Sequence, residues 1–109
     1  MIKVPVLKKP YLTYMKSGFV YLLTNKNNTV LYVGVTSKLV ERIEQHRTKK
    51  YPKSFTARYG LYKLVYWEAF SSIGEAIARE KQLKAGSRLK KIELINGSNP
   101  AWMDLYDTL

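Results

Sequence analysis

The chain contains no cysteine. That excludes disulfides, thiolate zinc centres and cysteine nucleophiles. It has a single histidine, His46, so a zinc site built from several imidazoles cannot form within one chain. Any metal would be a hard ion on oxygen ligands, such as magnesium or manganese. Acidic residues are scarce: eight Asp and Glu stand against 19 Lys and Arg, for a formal charge of +11. A surface this basic attracts polyanions, nucleic acid first and an anionic membrane second. No apolar run reaches the ~18 residues of a spanning helix, and no signal-peptide pattern is present, so an intracellular, cytoplasmic protein is expected. Repeats and low-complexity tracts are also missing. At 109 residues the chain can build one compact domain and not two.

What is present reads as a short series of elements. Residues 1–17 carry two prolines, four lysines and no acid, and form a basic extension to a domain over residues 18–109. Phe19 to Thr24 and Thr29 to Val35 are rich in apolar, β-branched and aromatic residues. They flank Asn25-Lys26-Asn27-Asn28, which is turn chemistry. A hairpin symmetric about Lys26-Asn27 pairs Tyr21 with Tyr32. Ser37 is a candidate N-cap for a helix from Lys38 to Arg47 with Leu39, Val40 and Ile43 as its apolar stripe. "KSFTARYG" suggests a short helix, and Tyr62 to Phe70 a third strand. "SSIGEAIAREKQLKAG" carries a capping box, Ser72 with Glu75, and a stop at Gly86. "SRLKKIELINGSNP" repeats that logic between Ser87 and Gly97. Asn99-Pro100 opens a last turn bearing Trp102 and Tyr106. The order fits an α+β fold: a small three-stranded antiparallel sheet flanked by helices.

Several side chains stand out. Tyr21 and Tyr32 share a face of the hairpin, and Gly34 continues that face without bulk, so a partner can approach the backbone there. The plain alternative is an aromatic pair that only stabilises the sheet. Arg42 and His46 lie four apart on one helix face. Glu80 falls on the apolar side of its helix, in line with Ile73, where a carboxylate is costly unless paired or bound to a cation. A salt bridge to an arginine would satisfy it equally well. Glu68 can face either way. Lys49, Lys50, Lys53 and Arg58 add four cations beyond the Arg42 helix, and Lys84 follows Glu80 by one turn.

Together these residues suit cleavage of a phosphodiester. One Mg²⁺ or Mn²⁺ on Glu80 would act as a Lewis acid. Arg42 would hold the phosphate with a forked donor set. A tyrosine would take a proton from water, though at a pKa of about 10 it needs help to ionise. His46 is an alternative base, or else a histidine that merely complements its helix terminus.

The chain resembles the GIY-YIG nuclease superfamily, and within it small single-domain bacterial proteins described as UvrC-like or UPF0213-like. The second motif stands here as Tyr32-Val33-Gly34. The first stands as Phe19-Val20-Tyr21, without its glycine. "GVTSKLVERIEQHR" is similar to the family's arginine helix, with Arg42 at the arginine. "EAIAREKQLKAGSRLKKIELI" places Glu80 at the metal-binding glutamate, and "NPAWMDLY" is similar to the closing segment. The resemblance covers Gly18 to Tyr106. It implies a three-stranded sheet flanked by helices, one divalent metal, Tyr21 as the favoured general base and Tyr32 as a positioning residue. It also implies cleavage of DNA or RNA phosphodiesters and leaves substrate preference open; the expectation is DNA ahead of RNA, with structure-selective repair or processing among the roles. Nucleic-acid contacts are expected at Gly34, Lys49, Lys50, Lys53, Arg58 and Lys84. The alternative is a nucleic-acid-binding module with a relic site. A protein–protein adaptor ranks third.

Overall fold

The computed structural model describes residues 17–109. The expected basic extension lies outside them except for Ser17, whose N–H donates to the Phe70 carbonyl at 3.2 Å. Strands β1 (Gly18–Thr24), β2 (Leu31–Thr36) and β3 (Lys63–Phe70) form one antiparallel sheet in the order β2-β1-β3. Helices α1 (Leu39–Arg47) and α2 (Phe55–Arg58) stand between β2 and β3. Helices α3 (Ile73–Ala85) and α4 (Arg88–Ser98) follow, and a 3₁₀ turn, Tyr106–Thr108, comes last. This is the α+β arrangement that the alternating pattern calls for.

All seven residues of β1 are buried, because the strand is central and covered on both faces. Phe19, Tyr21 and Leu23 pack with Leu39 and Ile43 of α1 and with Leu61, Leu64 and Trp67. Val20 and Leu22 point the other way, toward Ala76 and Leu83 of α3 and Ile95 of α4. Each fully buried aliphatic or aromatic side chain contributes about 1.5–3 kcal/mol, so β1 anchors both cores.

The hairpin register differs from the expected one. Tyr21 pairs with Gly34, and Tyr32 with Leu23, so the strands are shifted by two residues. The cause is a longer loop tied by one side chain. Asn25 Oδ1 accepts from the Thr29 and Val30 N–H groups at 2.8 and 3.1 Å, while Asn25 Nδ2 donates to Thr29. A shift of two keeps both tyrosines on one face, whereas a shift of one would have parted them.

Helix ends show what sequence alone reads well and poorly. Ser54, Ser72 and Ser87 each accept from the N–H three residues on, as good N-caps do. Ser37 does not cap α1. The Thr36 hydroxyl instead accepts from the Lys38 N–H at 3.0 Å, and the helix starts at Leu39. Gly97 does not stop α4 either. The helix runs to Ser98 and ends at buried Asn99, whose Nδ2 donates to the Val65 and Met103 carbonyls.

The buried face of α3 is Ala76 and Leu83; Ile73, expected on the apolar side, is exposed, and so is Ile77. At Gly18 a Cβ would come within 2.5 Å of the Ser72 carbonyl and 2.8 Å of the Ala76 side chain. The helix rides so close to β1 that only small residues fit between them, and the isoleucines turn outward. Glu68 faces this second core. Arg79 donates to it through Nε and Nη2 at 2.9 Å each, and the Tyr66 hydroxyl donates at 2.5 Å. Burial and the Glu68 carboxylate push the Tyr66 phenol far above its usual range.

Candidate active site

The first face of the sheet carries the chemistry. Tyr21 lies over Gly34, where an added Cβ would sit only 2.2 Å from the phenol's Cζ. The partner that approaches the bare backbone is therefore Tyr21 itself. Tyr32 is its diagonal neighbour, with ring centroids 6.3 Å apart. From α1, His46 reaches both rings, at 5.6 Å from Tyr21 and 5.8 Å from Tyr32.

The His46 imidazole is held at both nitrogens. Nε2 shares a 2.9 Å hydrogen bond with the Tyr21 hydroxyl, and Nδ1 shares a 2.9 Å bond with Thr56 Oγ1. Thr56 is buried and sits 3.2 Å from Ser54 Oγ. Burial, helped by the nearby Arg42 charge, lowers the His46 pKa from 6.5 to about 4. The imidazole is therefore neutral at physiological pH, and it is not a cationic helix-terminal histidine. Burial raises the Tyr21 pKa to about 12, against a smaller pull from Arg42. The phenol holds its proton.

Arg42 lies one turn before His46. Its Nη1 donates to Gln45 Oε1 at 3.1 Å, and its guanidinium lies 6.0 Å from the Tyr51 ring centroid. Arg42, His46, Tyr32, Tyr51, Phe55 and Lys49 line a cleft of about 70 Å³ that has no acidic side chain on its walls. A dianionic or monoanionic phosphate fits such a charge pattern.

Glu80 stands on α3, outside the lining of this cleft. Its side chain is 13% exposed and ion-paired with Lys84 one turn on, not with an arginine. The carboxylate is close enough that its charge opposes ionisation of Tyr21. The pairing holds the Lys84 ammonium above its ordinary range. Among the described residues no three acidic or histidine side chains gather as a metal cluster. Glu80 is the carboxylate that would hold a single hard ion, since oxygen ligands are what such an ion takes.

Of the expected contact residues, Lys49 lines the cleft, Lys50 lies 5.7 Å from the Tyr51 ring centroid and the Arg58 guanidinium 6.0 Å from that of Tyr59. Lys53 is exposed in the same loop. Lys84 is occupied by Glu80, and the space over Gly34 is filled by Tyr21. Sequence reasoning missed Thr56, Ser54 and the exposed rings of Tyr51, Phe55 and Tyr59. The only signal was the spacing of three aromatic residues, Tyr51, Phe55 and Tyr59, among the cations of residues 49–58.

Residues 17–93 match the family described as "GIY-YIG catalytic domain". A UPF0213 protein of Syntrophus aciditrophicus is 35% identical over 89 residues, covering 82% of this chain and all of that one. The UPF0213 protein SH2523 of Staphylococcus haemolyticus is 38% identical over 81 residues, covering 74% and 96%. Among solved structures, the UPF0213 protein BH0048 from Bacillus halodurans superposes with a TM-score of 0.50 at 32% identity, covering 78% of this chain and 89% of its own.

Proposed function

Because this chain belongs to the GIY-YIG family of nuclease catalytic domains, we propose that it is an endonuclease that hydrolyses phosphodiesters in nucleic acid, DNA ahead of RNA, with one Mg²⁺ or Mn²⁺. The observation that carries this reading is the hydrogen bond between the buried Tyr21 hydroxyl and a neutral His46, itself in the wall of a basic cleft without acids.

Proton handling follows from the two shifted groups. A phenol raised to about 12 cannot wait as phenolate. It can accept the proton of an attacking water only if it releases its own at the same time. With Nδ1–H donated to Thr56, the His46 Nε2 lone pair is the acceptor, so Tyr21 and His46 work as a relay. Arg42 binds the phosphate and offsets the negative charge that builds on it. Its charge is also one of the two causes that depress His46. A bound phosphate neutralises that charge, and the imidazole becomes a better base once substrate is present. Tyr32 holds the Tyr21 ring in place from the diagonal position. Glu80 would hold the ion, which when bound supplies Lewis acidity and stabilises the leaving 3′ oxygen. Lys84 must release the carboxylate first. Such a substrate sets the work in the cytoplasm, in structure-selective repair or processing of DNA.

The test is cleavage of single-stranded, duplex, flap and junction substrates by the purified chain with Mg²⁺ and Mn²⁺. Glu80→Ala is expected to lose metal-dependent cutting and keep binding. Cutting by Glu80→Ala at the wild-type rate would overturn the assignment. The second reading, a nucleic-acid-binding module with a relic site, has one observation in its favour: Lys84 sits on the carboxylate that the metal needs. It predicts salt-sensitive binding and no cutting on any substrate.

A further inference from the structure

Next to the cleft the molecule exposes three large aromatic rings within nine residues: Tyr51 at 51%, Phe55 at 48% and Tyr59 at 51%. They are ordered with respect to the site. Phe55 stacks on Tyr32 at 6.4 Å with only 25° between the planes, and Tyr59 lies 4.6 Å from Phe55. A row therefore runs from the site outward, Tyr32 to Phe55 to Tyr59. Tyr51 stands beside the cleft near Arg42. Cations lie among the rings: Arg42 and Lys50 near the Tyr51 ring, Arg58 near Tyr59, and Lys49 in the cleft wall.

Scattered apolar residues on a surface need no explanation, but contiguous rings beside a phosphate-sized basic cleft do. The charge pattern excludes a cationic partner. Paired bases in a duplex already stack on one another and offer only their edges in the grooves. Unpaired bases offer their faces, and alternating cations and exposed rings are the surface that takes them.

We propose that Phe55 and Tyr59, with Tyr51 in the cleft wall, stack unpaired bases next to the phosphate held by Arg42, and that the substrate is single-stranded or locally unpaired nucleic acid. The proposal rests on the nuclease reading for its place at a scissile phosphate, but its test does not.

The experiment uses the full chain in EDTA, where cutting cannot occur. Fluorescence anisotropy compares a short labelled oligothymidylate, an abasic strand of the same length and a blunt duplex. The oligothymidylate is expected to bind most tightly. Phe55→Ala and Tyr59→Ala are each expected to weaken it by about five- to 150-fold, the range of base stacking on one ring. Their affinity for the abasic strand and the salt slope should stay the same, since no cation is removed. Phe55→Trp should restore the affinity, which a damaged loop would not do. Equal binding of abasic and base-bearing strands would overturn the proposal, as it would if the rings served a protein partner. Base-dependent binding without any cutting in Mg²⁺ or Mn²⁺ would leave stacking standing and the nuclease reading fallen. Duplex cutting with no base dependence would do the reverse.

Discussion

Replacing Gly34 with alanine probes the site through a single methyl group. The new Cβ would lie 2.2 Å from Tyr21 Cζ, 2.3 Å from its hydroxyl oxygen and 2.7 Å from Cε1. Ordinary contact begins near 3.4 Å, so the ring must retreat from 2.2 Å by about 1.2 Å. It has little room to do so, because Tyr21 is packed in the first core and bonded to His46. Gly34 has no positive φ, so the cost is steric and not a matter of backbone strain. Overpacking of this kind costs about 1–3 kcal/mol. At about 4–8 °C per kcal/mol for a domain of this size, thermal unfolding should fall visibly. A catalytic group misplaced by about 1 Å loses on the order of 100-fold in rate. Gly34→Ala should therefore stay folded at room temperature, bind oligonucleotide in EDTA nearly as before, and cut about 100-fold more slowly. The assays are melting by circular dichroism, anisotropy, and single-turnover cleavage on the best substrate. A variant with wild-type melting and wild-type cutting would refute the claim that the Tyr21 ring occupies that space and that its position matters.

Tyr21→Phe removes the hydroxyl bonded to His46 Nε2 and should cost cutting about 100- to 10,000-fold, the range of general acid–base catalysis, while moving stability by only about 1 kcal/mol. The depressed His46 pKa has a stability signature. Between 6.5 and about 4 the unfolded chain binds the proton that the folded chain refuses, so stability is lost as pH falls through that window. After allowance for partial exposure this amounts to on the order of 1–2 kcal/mol, and His46→Gln should flatten that acid limb in urea titrations. Lys84→Ala frees Glu80 from its i,i+4 partner. It should change stability by less than about 0.5 kcal/mol and lower the Mg²⁺ concentration for half-maximal cutting; an unchanged or higher requirement would contradict competition between lysine and metal.

Local chemistry carried the sequence reading furthest. The serine caps of α3 and α4 follow from residue type, and the one-turn spacing of Arg42 and His46 and the shared face of Tyr21 and Tyr32 follow from periods of 3.6 and 2. What could not be read depends on contacts between distant segments. The hairpin register was set by one Asn25 side chain holding a six-residue loop. The end of α4 was set by Asn99 reaching the Val65 carbonyl on β3, not by the glycine two residues earlier. The buried side of α3 was set by its close approach to Gly18. In the site, Thr56 and the exposed rings entered because α2 brings Thr56 to His46 and Phe55 to Tyr32, which no periodicity in "SFTARY" encodes.

The segment after α4 has a consequence for how copies of this chain behave in company. Both backbone groups of Leu64 on the outer strand β3 are taken by it: the Leu105 N–H donates to the Leu64 carbonyl at 2.7 Å, and the Leu64 N–H donates to Asp104 Oδ1 at 3.2 Å. The Arg47–Asp104 ion pair and the Arg47 guanidinium over the Tyr106 ring pin that segment down. An open strand margin is a template on which a neighbouring chain can add itself, and here the protein has spent its own tail to close one end of it. Trimming the chain after Met103 would reopen that margin and favour self-association, which light scattering at rising concentration would report.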